Sequence, residues 1–511
     1  MTFNTHICKS GEAILYVGTP DFARLEALAE GPGDVWHSSF EQGLKNAFPE
    51  IKYQTATYFW YVNDFDGLDL CGSWRINPEQ FAIRKSVWES MGGFDPDYGS
   101  QLMQALHFGF DSLRYRGVTI LYAKGLFNDK TQVNRKISRK DRYVFFRKNF
   151  KTQHSIYMLY RKGLLNPAEW IAFFKARRVR PDVPKPVLAA RQLLPLEGNP
   201  TVSYIIPTMS RQDYTLQLIN DLVNQTYRPT QVVVVDATPE DKRDESLYNP
   251  ADYPFKVDFL WQTTKGSCRA RNEAIEVCTG DYIIFGDDDI RLKEDFIENH
   301  IRFQQTYRVD GASGLDIRAD HHTDGLDKLE DKLTKLKGKR WLSGLSQTMS
   351  NSNACVRREW VEKLAGNDVN FDGGYGEDND FGLSLAKAGV IMMQNPYSVN
   401  LHLKPPAGGY RVWGMQARTI GKTRKKQPWE LDSPVKWIRP VPSPTMMYYY
   451  RKHFSPELLT EFRHKYFFLF LFKGPKWSLL LRLLRLPYRQ LQFNKSKFYA
   501  KKLIALGKRI K

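Results

Sequence analysis

The middle of the chain alternates short apolar runs with amphipathic stretches. From Thr201 onward the sequence reads, in order, VSYIIPT, DYTLQLINDLVNQ, QVVVVDAT, RARNEAIEVC and DYIIFGDDD. Continuous apolar runs rich in β-branched residues, each followed by a segment with helical spacing, are typical of parallel strands covered on both faces. The pattern predicts an α/β domain at residues 200–430, with a Rossmann-like mixed sheet flanked by helices.

Polar side chains follow the predicted strands where each strand ends. Thr208 and Arg211 come after the first run, Asp236 ends the second, and three consecutive aspartates end the third. In open α/β sheets, ligands bind in the crevice beyond the carboxyl ends of the strands. Three adjacent carboxylates repel one another unless solvent or a cation offsets their charge. The sequence therefore predicts a binding crevice here.

Prolines at positions 181, 184, 186, 195 and 200 precede this domain and indicate a boundary. The N-terminal region contains a weak copy of a later segment, since residues 81–101 parallel residues 354–378, with YGSQ in place of YGED. The expected division is a degenerate α/β module at 1–130, a basic helical segment and Pro-rich linker at 131–199, the α/β domain at 200–430, and a basic helical tail at 431–511.

The C-terminal tail carries much of the positive charge. The formal net charge is +19, and no Asp or Glu follows Glu461. Leucines and arginines alternate at helical spacing in WSLLLRLLRLPYRQLQF, which is typical of an amphipathic helix on an anionic membrane surface. A helix that docks on the protein's own core is the alternative. No recognised nucleic-acid fold signature accompanies the charge, so nucleic acid is not an expected partner.

The expected location is cytoplasmic, peripheral on the inner face of the membrane. The N-terminus shows no signal-peptide pattern, and the apolar run YFFLFLF is too short to span a bilayer. Five cysteines, an odd total without metal-type spacing, favour a reducing compartment over a disulfide framework.

Six segments follow one another in the chain, namely VSYIIPTMSR, VVVVDAT, KGSCRARNEA, GDYIIFGDDDI, NFDGGYGEDNDFGLSL and NLHLKPPAGGYR. With these segments in this order, the chain resembles an inverting family 2 glycosyltransferase with a GT-A fold. The resemblance covers about residues 200–425. It implies that the N-terminal module is a degenerate, catalytically silent relative, because that copy lacks the carboxylate pair.

The resemblance also implies a metal site. It places the DxD-type motif on Asp287 and Asp289, with Asp288 between them, and adds His402 as a further ligand to Mn²⁺ or Mg²⁺. Hard divalent cations are typically held by one or two carboxylates together with substrate phosphate oxygens. A donor diphosphate and its cation would relieve the repulsion among the three aspartates.

The same resemblance assigns the reacting groups. Asp378 is implied as the base that deprotonates the acceptor hydroxyl, and Glu377 as the residue that orients the acceptor or the site. The implied donor-binding residues are Pro207, Thr208, Arg211, Asp236, Lys265, Arg271, Asn272, Asp287, Asp288 and Arg411. Gly408 and Gly409 would let the loop after His402 close over a donor.

The expected function is a metal-dependent, hexosyltransferase-type glycosyltransferase. It would move a sugar, most simply from a UDP-sugar, to a glycan or lipid-linked glycan acceptor in cell-surface polysaccharide synthesis. The alternatives are a non-catalytic glycan- or nucleotide-sugar-binding scaffold, and a nucleotidyltransferase that releases pyrophosphate.

Overall fold

The structure is a computed structural model, and it describes residues 2–54, 60–128, 136–181, 186–346, 348–410 and 426–511. The strands are β1 Asn4–Ile7, β2 Ala13–Val17, β3 Val35–His37, β4 Leu70–Gly72, β5 Phe81–Arg84, β6 Ile120–Ala123, β7 Val202–Thr208, β8 Gln231–Asp236, β9 Lys256–Trp261, β10 Tyr282–Gly286, β11 Ile290–Leu292, β12 Gly311–Arg318, β13 Gly344–Leu345, β14 Asn353–Arg357 and β15 Met392–His402.

The helices, in chain order, are α1 Phe22–Ala29, α2 Lys85–Met91, α3 Gln101–Tyr115, α4 Arg139–Asn149, α5 Thr152–Lys162, α6 Pro167–Arg177, α7 Gln212–Val223, α8 Ser267–Val277, α9 Phe296–Tyr307, α10 Leu326–Lys335, α11 Arg358–Lys363, α12 Glu377–Lys387, α13 Pro444–His453, α14 Pro456–Phe472 and α15 Leu479–Leu506. Short 3-10 turns connect several of them.

The chain forms two compact units. The first unit comprises Met1–Ala190, Leu342–Leu345 and Phe454–Leu486, and the second unit comprises Arg191–Trp341, Ser346–His453 and Pro487–Lys511. The expected four-part division is finer than this. Helices α4, α5 and α6, which belong to the basic helical segment expected at 131–199, lie in the first unit.

The first unit contains a sheet with the strand order β1-β2-β5-β3-β6-β4. Strand β5 is buried along its whole length, and its apolar side chains join one core with those of α3 and α4. Aromatic residues of α4 and α5 belong to the same core, together with Leu458 of α14. These helices are therefore held by apolar burial, the main favourable contribution to folding.

The second unit contains a mixed sheet with the strand order β11-β15-β12-β14-β10-β7-β8-β9. Strands β10, β7, β8 and β9 run parallel, whereas β14 pairs antiparallel with β10 and β12. The apolar runs predicted as strands form β7, β8 and β10, and every residue of the three is buried. The structure confirms the predicted α/β class.

The two copies of the weak repeat share one local feature. Strand β5 passes directly into α2 at Arg84 (φ −59°, ψ 131°), and β14 passes directly into α11 at Arg357 (φ −58°, ψ 132°). When YGSQ is aligned with YGED, Ser100 corresponds to Glu377. Ser100 is the N-cap of α3, and Glu377 is the first residue of α12. The relationship of the N-terminal module to the later domain stays a prediction.

The tail is not one surface helix. In α15 the side chains of Phe493, Tyr499, Ala500 and Leu503 are buried in the second unit. Together with the buried Ser496, the residues Phe493, Ala500 and Leu503 follow one another at three to four positions and form one stripe of the helix. The Trp429 ring lies 4.9 Å from the Tyr499 ring. The expectation of a membrane-bound amphipathic tail at 431–511 is therefore wrong for this part, which packs on the core.

Among the described residues, no helix is both long enough and apolar enough to cross a membrane. All five cysteines are buried and free.

Candidate active site

Buried side chains hold the triple aspartate in place at the carboxyl end of β10. The hydroxyl Oγ1 of Thr208, the last residue of the neighbouring strand β7, donates a 2.8 Å hydrogen bond to Oδ2 of Asp288. Gly286 ends β10 against the side chain of Tyr204, where a Cβ atom would meet the hydroxyl oxygen and two ring carbons of Tyr204 at 2.4–2.7 Å. Parallel pairing of β7 and β10 thus fixes the first aspartates beside Thr208.

Three cationic side chains of the second unit neutralise the aspartates. Arg211, which precedes α7, places its Nη1 atom 3.0 Å from Asp288 Oδ1 and 2.9 Å from Asp289 Oδ2. Arg271 of α8 donates from Nη2 to Asp287 Oδ1 at 2.6 Å. His402, at the end of β15, places Nε2 3.3 Å from Asp289 Oδ1. Each aspartate therefore has a cationic partner.

The buried aspartates differ in their affinity for protons. Burial, reinforced by the charge of Asp289, raises the pKa of Asp288 above its usual range. Burial alone would also raise the pKa of Asp289, but the hydrogen bond and charge of His402 hold it below its usual range. Asp289 is therefore the better anionic ligand, whereas Asp288 lies deeper and is held by Thr208 and Arg211.

Asp316, on β12, orients the imidazole of His402. Its Oδ1 atom lies 3.0 Å from His402 Nδ1, so Nε2 points to Asp289. Burial alone would lower the pKa of His402, but the two carboxylates raise it to about 10. A carboxylate behind a histidine is the usual arrangement that orients a metal ligand. No sequence motif indicates Asp316, because only the pairing of β12 with β15 brings this residue beside His402.

The donor set suits a hard divalent cation. Ligand atoms of Asp287, Asp289 and His402 all lie within 4.8 Å of one another. Two carboxylate oxygens and one imidazole nitrogen match the preferences of Mn²⁺ and, for the oxygens, of Mg²⁺. The structure thus brings together the three predicted metal ligands.

The predicted base lies at the start of α12. Gly376 precedes the helix with a left-handed backbone (φ 109°), which lets the chain turn directly into Glu377 and Asp378. The amide N–H of Asn351 donates to Asp378 Oδ1 at 3.3 Å. The helix N-terminus and this hydrogen bond both favour the carboxylate form of Asp378.

Arg271 connects the aspartates of β10 with α12. It is almost fully buried, and burial lowers the pKa of its guanidinium, but the charges of Asp287 and of Asp378 and Glu377 in α12 raise that pKa overall. The candidate metal ligands and the candidate base therefore share the field of one arginine.

Other predicted donor residues are held within the fold. Asp236, at the end of β8, accepts hydrogen bonds from the N–H of Thr238 at 2.7 Å and from the hydroxyl of Tyr248 at 2.9 Å. Pro207 is buried within β7, opposite Val235 of β8. The Asp236 carboxylate is thus at the predicted strand end, and it is fully buried there.

Asn272 is not brought together with the aspartates. Its amide donates to the carbonyls of Asn367 and Ile510, each at 2.8 Å, and its Oδ1 accepts from the N–H of Asn367. These contacts fasten α8 to the C-terminal segment. Lys265 lies half-buried in the loop before α8.

The loop after β15 is fastened beside Arg211. Arg211 Nε donates to the carbonyl of Ala407 at 3.0 Å, and the N–H of Gly409 donates to the carbonyl of Met209 at 2.7 Å. Gly408 and Gly409 have left-handed backbones (φ 76° and 78°). Arg411, also predicted to bind the donor, lies outside the described residues.

Comparison with known proteins points to one family. The family model described as "Glycosyl transferase family 2" matches residues 203–365. An uncharacterized glycosyltransferase of Haemophilus influenzae is 32% identical over 105 residues, which are 20% of this chain and 42% of that protein. The putative teichuronic acid biosynthesis glycosyltransferase TuaG of Bacillus subtilis is 29% identical over 107 residues, again 20% and 42%. The chain spans less than half the length of these relatives.

Among solved structures, the chain resembles the mannosyltransferase PcManGT from Pyrobaculum calidifontis in complex with GDP-Man and Mn²⁺, with 16% identity, coverage of 60% of this chain and 89% of that chain, and a TM-score of 0.33. The family match covers strands β7–β14 of the mixed sheet, together with the three aspartates that follow β10. Residues 203–365 therefore match the glycosyl transferase family 2 model, as the motifs in this region predicted.

Proposed function

We propose that the chain is an inverting, hexosyltransferase-type glycosyltransferase that takes a sugar from a nucleoside diphosphate donor, UDP-sugar being the first candidate. The observation that supports this best is the convergence of Asp287, Asp289 and His402 at the end of β10, with the acidic start of α12 in the field of the same arginine, Arg271. The acceptor would be a glycan or lipid-linked glycan. The name of TuaG, a relative placed in teichuronic acid biosynthesis, supports a role in cell-surface polysaccharide synthesis.

A divalent cation held by Asp287, Asp289 and His402 would supply positive charge to the departing diphosphate. Arg211 and Arg271 already balance part of the aspartate charge. With a divalent cation bound as well, the positive charges of the cation and the two arginines would outnumber the charges of the three aspartates, which would favour an anionic diphosphate. Asp316 holds His402 with Nε2 directed at the site, so little reorganisation is needed when a donor binds.

Asp378 would accept the proton of the acceptor hydroxyl as that oxygen attacks the anomeric carbon. Inversion requires the base and the leaving nucleotide on opposite sides of the sugar. Asp378 lies in the first turn of α12, where the helix N-terminus favours negative charge. Glu377, its neighbour in the first turn of α12, would orient the acceptor.

A product assay separates this proposal from its alternatives. The purified chain is incubated with Mn²⁺, a panel of nucleotide-sugars and oligosaccharide or lipid-linked acceptors, and the released nucleotide is identified. Release of nucleoside diphosphate, lost in Asp378→Asn, supports the transferase. Pyrophosphate release from a nucleoside triphosphate would instead identify a nucleotidyltransferase. Nucleotide-sugar binding without turnover on any acceptor would favour a non-catalytic scaffold.

We also propose that the chain is peripheral at an anionic membrane, on the cytoplasmic side. This rests on the segment between the end of α14 and the first turns of α15, where Phe472, Trp477, Leu480 and Leu484 are exposed beside basic residues, and Trp477 is 79% exposed. The five free cysteines agree with a reducing compartment.

Point charges test this location better than truncation after Pro456, which would remove the buried Leu458 and Tyr499 from the two cores. The variant Leu480→Glu/Leu484→Glu should sediment less with vesicles of phosphatidylglycerol and phosphatidylcholine than the wild type. The control is Ile7→Glu, which changes a side chain that is 60% exposed on β1. Equal sedimentation of the three proteins would contradict the proposed location.

A further inference from the structure

Helix α5 presents an apolar stripe to solvent. Ile156 and Tyr160 are exposed one turn apart, and the exposed Leu164 follows at the same spacing just beyond the helix. The rest of the helix packs inward, since Tyr157, Met158 and Leu159 lie in the core of the first unit. The exposed apolar side chains are therefore not needed to pack the helix against the core.

Helix α6 extends this apolar surface. Trp170, Ile171 and Phe174 are exposed on one face, and Leu165, in the turn between α5 and α6, is 98% exposed. The indole Nε1 of Trp170 donates to the carbonyl of Leu164 at 2.7 Å, and its ring stacks on Phe174 at 6.0 Å. The two helices and their turn therefore present one ordered apolar patch, the α5–α6 patch.

Ring contacts connect the α5–α6 patch to the end of α14 within the same unit. The Tyr160 ring lies 5.3 Å from the Phe468 ring, which in turn lies 4.8 Å from the ring of Phe472. Phe472 is itself exposed and directly precedes the basic segment around Trp477. The patch and the segment already proposed to bind membrane are therefore parts of one surface.

The patch has positive borders. Between Asp141 and Asp182 the only acidic residue is Glu169, and it is buried and paired with Arg139 and Arg142. Exposed basic residues end α6 and follow it, namely Lys175, Arg177, Arg178 and Arg180. A partner for this surface must cover exposed aromatic and leucine side chains and also offer negative charge.

We propose that the α5–α6 patch is a second lipid-binding element, which enters the interface of an anionic bilayer together with the segment around Trp477. The proposal rests on the peripheral location proposed above. Exposed Trp, Tyr and Phe beside Lys and Arg are typical of the membrane interface, where aromatic rings lie at headgroup level and basic side chains meet anionic lipid. A second copy fits less well, because a symmetric contact would place basic residues against basic residues.

A fluorophore in the turn reports the contact directly. Because all five native cysteines are buried, an introduced Leu165→Cys can be labelled selectively with an environment-sensitive dye. Vesicles containing phosphatidylglycerol should shift its emission to the blue and raise its intensity, whereas pure phosphatidylcholine vesicles should have a much smaller effect. The matched control is a dye at Ser10→Cys, which is exposed in the turn between β1 and β2 and should not respond. An unchanged spectrum at position 165 overturns the proposal.

Charge substitutions then separate this proposal from the one it rests on. The variant Ile171→Glu/Phe174→Glu, which leaves Leu480 and Leu484 unchanged, should lower the vesicle-bound fraction several-fold. The control Ile7→Glu should leave the vesicle-bound fraction unchanged. If only Leu480→Glu/Leu484→Glu loses binding, the α5–α6 patch is not a lipid site, but the peripheral location stands. If the wild type binds no vesicles, both fail. If the wild type instead self-associates in sedimentation velocity and Ile171→Glu/Phe174→Glu is monomeric, the occupant is a second copy and the lipid proposal is wrong.

Discussion

At the scale of single residues, the first prediction concerns Asp378 as the base. Asp378→Asn keeps the size and hydrogen-bonding shape of the side chain but cannot accept a proton. We expect turnover to fall by about 10²–10⁴-fold with nucleotide affinity unchanged, because the carboxylate acts on the acceptor and not on the donor. Initial rates and calorimetric nucleotide titration measure the two effects separately.

Glu377→Gln is the matched control, since it removes a carboxylate from the adjacent position of α12. If Glu377 orients the acceptor, its loss should appear mainly in the KM for the acceptor. Equal losses of turnover in Asp378→Asn and Glu377→Gln would contradict the assignment of the base to Asp378.

The second prediction concerns Asp316, which positions His402. Asp316→Asn leaves the three metal ligands in place but weakens the interaction with His402 Nδ1. We expect the affinity for Mn²⁺ to fall by about 10–100-fold, with activity partly restored at high Mn²⁺. The control is Asp320→Asn, which changes an exposed aspartate four residues later in the chain and should leave the affinity for Mn²⁺ unchanged. Mn²⁺ titration followed by electron paramagnetic resonance measures it, and an unaltered affinity in Asp316→Asn would count against this role.

Sequence motifs predicted the identity of the charged residues better than their partners. The three aspartates and His402 come together as predicted, because strand ends of one sheet meet at one edge. The motifs did not show that Arg211 bridges Asp288 and Asp289, nor that Asp316 lies behind His402. Such contacts join residues about 80 positions apart in the chain, and only the strand register determines them.

At the scale of elements, α15 yields the third prediction. Leu503 is fully buried, whereas Leu506, one turn later, is 46% exposed. Leu503→Ala should lower the free energy of unfolding by about 2–5 kcal/mol, and Leu506→Ala should change it little. Denaturant unfolding of the full chain, followed by tryptophan fluorescence, compares the two variants. Equal stability of the two variants would mean that the end of α15 is not part of the core.

The fourth prediction concerns the pH dependence of stability from Lys465 of α14. Burial lowers the pKa of Lys465 from 10.5 to about 7, so the buried ammonium is costly below that pH. Between pH 7 and 10.5 the unfolded chain binds the proton and the folded chain does not, so the wild type gains stability as pH rises. Relative to Lys465→Met, the wild type should therefore become more stable over this interval.

Thermal unfolding of both proteins from pH 6 to pH 10 measures this difference. Lys473→Met, which changes an exposed lysine beyond the end of α14, should show no such trend. A difference between Lys465→Met and the wild type that stays constant over this range would contradict the assigned pKa.

The apolar periodicity of the tail predicted helices but not the surface that each would cover. The basic tail at 431–511 is predicted to bind a membrane through its amphipathic helices, yet in α15 Tyr499 and Leu503 pack in the core, whereas Leu480 and Leu484 are exposed. An amphipathic pattern looks the same whether its apolar stripe meets lipid or protein. The difference depends on whether a complementary apolar surface, here that around Trp429, is present in the fold.

At the scale of the whole molecule, the net charge of +19 is unevenly placed. Between Asp141 and Asp182 the sole acidic residue of the sequence is Glu169, and none follows Glu461. The first of these stretches and residues 462–486 belong to the first unit, whereas residues 487–511 belong to the second. The second unit holds the aspartates of the candidate active site. Membrane binding and chemistry are thus proposed for different units, and variants in one should leave the other function intact.

The measurement that tests the central proposal most directly is calorimetric titration with UDP, GDP, CDP and TDP, with and without Mn²⁺. It compares the wild type with Asp287→Ala/Asp289→Ala and with the surface control Asp331→Ala. We predict that one nucleotide binds only with Mn²⁺, that binding is lost in the double variant, and that Asp331→Ala binds like the wild type. Binding of that nucleotide with equal affinity in the double variant, or with no need for a cation, would contradict the metal-dependent transferase.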